Sequence, residues 1–246
     1  MAFSTTAGSG PRVLHEAGSS GYTGGMMAQI PNILTFIRIL AAPVIVAVYF
    51  LLPRPLADEV AVALLILASV TDWVDGYLAR LMGVESPLGA MLDPIADKVL
   101  VGTVLLLLAA LFGLNPLVLI PAAAIMLREF VVSGMREHLG KSGVTMKVTW
   151  PAKVKTTVQM VGIILLLGTG IAEHALFERT AGMDPGLVRA IFAGDEPDLV
   201  GLTTARTAWN VGWYGGLILL WTAAALTLWT GWAYFQTARK AMKARP

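Results

Sequence analysis

The sequence predicts an all-α membrane protein with six transmembrane helices and both termini on the cytoplasmic side. Three observations carry that prediction. Hydrophobic residues make up 56% of the 246-residue chain and charged residues only 14%, with a mean hydropathy of +0.71; soluble domains average about 25% charged residues. The apolar residues gather into six long stretches, and a bilayer core about 30 Å thick needs roughly 20 such residues per helix. Lysine and arginine crowd onto one side of the chain threaded through those stretches. A composition this apolar excludes an ordinary soluble enzyme. The absence of cysteine excludes disulfides, thiolate metal sites and cysteine nucleophiles. Three scattered histidines argue against a histidine-built metal centre, and a formal charge of +2 argues against a nucleic-acid partner.

Residues 1–25 are rich in Gly, Ser and Thr, show no apolar period and lack the continuous apolar run of a secretory signal. They are expected to form a disordered tail ahead of a membrane domain at 26–246. The six stretches fall at about 30–52, 57–81, 89–111, 116–135, 148–171 and 208–234. Backbone groups in lipid must be satisfied within the segment, so each is read as a helix.

With six spans both termini share a side. That side carries Arg80, Lys141, Lys147, Lys153, Lys155 and the tail cations Arg239, Lys240, Lys243 and Arg245, which makes it cytoplasmic by the positive-inside rule. The segment 172–208 is then an extracytoplasmic loop, with three arginines against six acids. Its Asp184-Pro185-Gly186 run is a turn signal. Trp150, Trp209, Trp213, Trp229 and Trp232 lie near span ends and read as interfacial anchors.

Ionisable groups at membrane depth are costly and mark function by default. Here they are Arg38, Asp72, Asp75, Asp93, Asp97, Lys98, Arg128, Glu129, Arg136 and Glu137, and all fall in the cytoplasmic half of their spans. Asp72 and Asp75 stand at i, i+3 near the end of the second span. Asp93 and Asp97 stand at i, i+4 near the start of the third, so each pair shares one helix face. Four carboxylates gathered in low dielectric repel one another. Divalent cations resolve the repulsion, and oxygen-only ligation suits Mg²⁺ or Mn²⁺. Gly76 and Gly89 permit close approach of a backbone or a ligand, and Arg80 offers a forked donor to phosphate. The plain alternative is an ion-pair network of these acids with Arg80 and Lys98, which explains neither the glycines nor the acid excess.

Asp72, Asp75, Gly76, Ala79, Arg80, Gly89, Asp93 and Asp97, at their fixed spacings, match the signature of the CDP-alcohol phosphotransferase family, which the chain resembles. The resemblance implies the family's six-helix fold, a homodimer, and displacement of CMP from a CDP-linked donor by an alcohol. It implies two divalent cations, Mg²⁺ or Mn²⁺, held on the donor pyrophosphate by Asp72, Asp75, Asp93 and Asp97, with Asp97 also the general base. CDP-diacylglycerol contacts are implied for Asn32, Asp72, Gly76, Ala79, Arg80 and Gly89.

Outside the signature, residues 30–38, Arg128-Glu129-Phe130, 133–137 and 153–160 resemble phosphatidylglycerophosphate synthases. The likeness covers about 30–160. Ala152 departs from it where Gly is expected, and the external loop is longer than expected. The implied acceptor is sn-glycerol 3-phosphate, a dianion, so its site calls for fixed positive charge and hydroxyl donors. Thr35, Arg38, Arg128, Arg136 and Lys153 are assigned to the acceptor phosphate, with Glu129 and Glu137 orienting the adjacent arginines. Lys141 and Lys147 are read as cations facing anionic headgroups. For Lys155 both that reading and an acceptor role stand. Lys98 is read as an aspartate partner or a snorkelling group, and His138 as a solvated helix end.

The implied reaction makes phosphatidylglycerophosphate and CMP at the cytoplasmic face of a bacterial inner membrane, among membrane lipids. The rival readings are another transferase of the family, above all one using inositol phosphate, and a cation transporter using the acids as an ion path. Transporter carboxylates usually lie near the midplane; these lie at the cytoplasmic ends.

Overall fold

The computed structural model describes residues 29–82, 87–140 and 150–243, and the expected disordered tail at 1–25 lies outside them, as do Lys141 and Lys147. Every element among the described residues is helical. They are α1 (Gln29–Leu51), α2 (Leu56–Met82), α3 (Pro87–Leu111), α4 (Pro116–Gly140), α5 (Trp150–Thr180), α6 (Pro185–Ala193), α7 (Leu202–Asn210), a π-helical turn (Val211–Gly215) and α8 (Gly216–Lys243). α1 packs on α2 and α3, α2 on α5, α4 on α8, and α5 on both α7 and α8.

Among the described residues, five stretches are long and apolar enough to cross a membrane: Ile33–Leu51, Met91–Leu111, Pro116–His138, Val154–Thr180 and Leu202–Arg239. α2, 27 residues long, carries Asp58, Glu59, Asp72 and Asp75 on either side of an apolar run at residues 60–71.

The core is built from Ile45, Leu65, Leu105, Leu108, Ile125, Ile163, Leu166 and Leu220, with Ala42, Ala61, Ala122 and Ala223 letting the helices approach. Large apolar side chains also cover the outside: Phe50 is 84% exposed and Leu106 74%. Lipid, not water, is the solvent that such a surface suits. Small residues bring α5 against α8, as expected where packing rather than hydrophobicity joins helices. A Cβ on Gly216 would meet Leu166 Cγ at 2.7 Å and its backbone nitrogen at 3.0 Å.

Residues 172–208, expected to form a loop, are mostly helical. α5 continues to Thr180, and the last helical run begins at Leu202 rather than near 208. The Asp184-Pro185-Gly186 turn signal proves to be a helix start. Asp184 caps α6 by accepting from the Gly186 and Leu187 amides, with proline in the first turn. Asp198 accepts from the Leu202 and Thr203 amides at 2.8 Å each and from the Thr203 hydroxyl. Those donors, the Thr203 side chain first, hold its pKa down to about 2. Trp209 and Trp213 stack with centroids 6.0 Å apart, and Trp232 lies 61% exposed.

At the end of the bundle nearest these outer helices, Asp58 is fully buried. Arg54 holds it with two bonds of 2.9 and 3.0 Å, and the Tyr49 hydroxyl donates to it at 2.9 Å. Gly170 of α5 makes room for the pair, since a Cβ there would sit 2.5 Å from both Arg54 Nη2 and Asp58 Oδ2. Gly170→Ala is therefore expected to cost about 1–3 kcal/mol by overpacking. Gly168→Ala, with nothing within 4 Å of the new carbon, should cost nothing. Thermal unfolding of both variants in detergent checks this, and equal midpoints would contradict it.

Candidate functional site

The ionisable groups singled out from the sequence gather at the other end of the bundle. The helices alternate in direction, so the start of α1, the end of α2, the start of α3, the end of α4, the start of α5 and the end of α8 meet there.

Thr35 and Arg38 lie one turn apart on α1, both 1% exposed. Thr35 donates to Asp93 Oδ1 at 2.6 Å. Arg38 pairs with Asp72, Nη1 to Oδ1, at 2.5 Å. α1 thus ties the two carboxylate-bearing helices together. The expectation for Thr35 and Arg38 was an acceptor phosphate; the partners the structure gives them are aspartates of the expected metal set.

Asp97, one turn beyond Asp93, lines a cavity of 810 Å³ between α3, α4, α5 and α8. It lies within electrostatic reach of Asp72, Arg38, Glu129 and Lys155, so the aspartates and the cavity form one continuous polar region. Arg128 and Arg136 share the cavity wall, as their two-turn spacing on α4 predicts. Its charged lining is Lys98, Arg128, Arg136 and Lys155 against Asp97, Glu129 and Glu137. Cations outnumber carboxylates in a space ringed by apolar helices, which suits an anionic ligand.

Glu129 is the junction of this lining. Its Oε1 accepts from Arg128 Nη1 at 3.0 Å and from Lys155 Nζ. Glu129 thus contacts the arginine it was expected to orient. It also decides the position of Lys155, which is 6% exposed and bound inside the protein rather than turned to headgroups. Lys98 and His138 are exposed, and Lys98 lies on the cavity wall.

Asp75, Gly76, Ala79 and Arg80 fall on α2, Asn32 on α1 and Lys153 on α5; their side chains lie outside the described residues. Gly89 is buried on α3. Among the described residues no three His, Cys, Asp or Glu side chains converge as a metal site. Asp72 and Asp93, two of the oxygen donors expected there, accept bonds from Arg38 and Thr35 through one carboxylate oxygen each.

Three uncharged polar residues of the site, Gln159, Thr230 and Tyr234, were given no role from the sequence. Gln159 is 2% exposed on the cavity wall, and its Oε1 has no hydrogen-bond partner among the described residues. Thr230 and Tyr234 of α8 are also buried against Arg128. The available signal was a buried amide or hydroxyl within an apolar helix, far weaker than a charge.

A family model described as CDP-alcohol phosphatidyltransferase matches residues 28–184. A protein of Cereibacter sphaeroides is 47% identical over 87% of this chain and 97% of its own length. One from Rickettsia bellii is 36% identical over 86% and 96%, and one from Salmonella typhimurium 32% over 87% and 97%. All three bear the name CDP-diacylglycerol–glycerol-3-phosphate 3-phosphatidyltransferase.

Glu129→Gln leaves Arg128 and Lys155, at 10% and 7% side-chain exposure, without their shared anion. Breaking a buried pair by removing one partner costs about 3 kcal/mol or more. The variant should unfold at a clearly lower temperature than wild type, whereas Glu137→Gln, at an exposed position, should not. A Glu129→Gln midpoint equal to wild type would show that the junction contributes nothing to stability.

Proposed function

We propose that this chain, which belongs to the CDP-alcohol phosphatidyltransferase family, transfers the phosphatidyl group of CDP-diacylglycerol to the 1-hydroxyl of sn-glycerol 3-phosphate. The products are phosphatidylglycerophosphate and CMP. The observation that carries this reading is the cation-rich cavity with Asp97 on its wall, and the names of the relatives support it.

In this reading the acceptor phosphate occupies the cavity against Arg128, Arg136 and Lys155, joined by Lys153 from the start of α5. A dianion there offsets the cation excess and accepts charge-assisted bonds. Asp97 accepts the proton of the 1-hydroxyl as that oxygen bonds to the phosphorus bearing diacylglycerol. The bond from this phosphorus to the oxygen of the CMP phosphate breaks, and its electron pair leaves with CMP. Proton transfer to a positioned carboxylate and alignment of two bound substrates are the two sources of rate in this scheme. Arg38 and Thr35 hold Asp72 and Asp93 in register with Asp97. Arg80, Asn32, Gly76, Ala79 and Gly89 are assigned to the donor.

The oxygen-only donors Asp72, Asp75, Asp93 and Asp97 fit two divalent cations of the Mg²⁺ or Mn²⁺ type by their chemistry. When bound, such ions supply neutralisation of the donor's phosphates. We further assign α2 as the sixth span, with Asp58 and Asp72 held by Arg54 and Arg38 near its two ends. Both termini and the site then face the cytoplasm of a bacterial inner membrane, and the protein works as a homodimer.

The enzyme purified in mixed micelles with CDP-diacylglycerol should release CMP only when sn-glycerol 3-phosphate is added. Release that depends instead on inositol phosphate would overturn the acceptor assignment. Asp97→Asn should lower kcat by about 10³-fold, in the range typical of a lost general base, while the protein still folds; near-normal turnover would remove the assigned role. Arg136→Ala should raise KM for glycerol 3-phosphate about tenfold or more, the worth of a charge-assisted bond. Its KM for CDP-diacylglycerol should stay put, and a rise in the donor KM alone would place Arg136 elsewhere.

A further inference from the structure

We infer that the inner end of α8 is a seat that sets Arg128 in the acceptor cavity, with Thr230, Gly231 and Tyr234 as its positioning residues. The inference rests on reading the cavity as the glycerol phosphate site. α8 lies wholly beyond residues 28–184, the part matched by the family model.

Three separate contacts define the seat. Arg128 Nη2 donates to Thr230 Oγ1 at 3.1 Å. The Thr230 hydroxyl spends its own proton on the backbone carbonyl of Leu226 at 2.8 Å. Its lone pairs are thereby left to Arg128, and the hydroxyl acts there as an acceptor. The second contact is a missing side chain. A Cβ on Gly231 would lie 3.0 Å from Arg128 Cγ and 3.6 Å from Nε, so the arginine stem runs over bare backbone. In the third, the guanidinium carbon stands 5.8 Å from the centre of the Tyr234 ring, within the range of a cation–π contact. Tyr234 is 9% exposed and lies on the cavity wall.

Glu129, the next residue on the same helix, ties Arg128 to Lys155 of α5 but not to α8. The contacts from α8 fix the guanidinium relative to the rest of the bundle. They consume one Nη2 hydrogen, and Glu129 takes one from Nη1. The Nε hydrogen remains, buried and without a partner among the described residues. A buried guanidinium nitrogen in that state calls for an acceptor. The Nη hydrogens not taken by Thr230 and Glu129 are the ones left to bind a phosphate oxygen in the cavity.

The experiment is steady-state kinetics of the full chain in mixed micelles, varying each substrate in turn. Thr230→Val keeps the shape and removes the acceptor. Its KM for glycerol 3-phosphate should rise about fivefold, while kcat and the KM for CDP-diacylglycerol move less than twofold. Thr230→Ser should restore the wild-type KM. Gly231→Ala, which pushes on the arginine stem, should raise the same KM by a larger factor, and it keeps the test open if Thr230→Val fails to fold. An unchanged acceptor KM in the folded variants, or an equal rise for both substrates, overturns the seat. Wild-type protein that releases no CMP with glycerol 3-phosphate overturns the proposed function instead, so the two failures are told apart.

Discussion

Charge inside a bundle that faces lipid must be matched by charge from another helix, and that constraint organises the polar end of this protein. Arg38 reaches Asp72, Thr35 reaches Asp93, and Lys155 reaches Glu129. Each of these contacts joins two different helices. An isolated carboxylate or ammonium at such depth would carry a desolvation cost of several kcal/mol. The pairs therefore determine which helix ends meet, and the cavity is the space left where they do.

The opposite end obeys the same rule with fewer groups. Asp58 is held by Arg54 and Tyr49 and faces the bare backbone of Gly170. Between the two polar ends runs a core of leucine, isoleucine, valine and alanine with no ionisable group. The outer cluster pairs one cation with one carboxylate, whereas the cavity at the other end is lined by four cations and three carboxylates, which is why the chemistry is assigned there.

Within the inner cluster the labour divides by helix. α1 braces the carboxylates of α2 and α3. α4 supplies the arginines, α5 contributes the buried lysine, and α8 contributes only uncharged groups. A hydroxyl, a glycine and an aromatic ring orient a guanidinium without competing for its charge. That leaves the cationic surplus of the cavity available to an anion.

The carboxylates, the arginines and the apolar stretches were legible in the sequence because each follows from local physics. Helix length comes from bilayer thickness, shared faces from the 3.6-residue turn, and suspicion of function from the cost of a charge in lipid. Family membership was legible too, through eight residues at fixed spacing. Tertiary structure alone decided that Arg38 and Thr35 spend their bonds on Asp72 and Asp93, and that Lys155 turns inward to Glu129. It also decided that α8 braces Arg128 of α4, and that residues 172–208 are mostly helix. These depend on contacts between residues as far apart as Arg128 and Thr230, 102 positions along the chain. No local period or spacing encodes such a meeting; it exists only once the helices have packed.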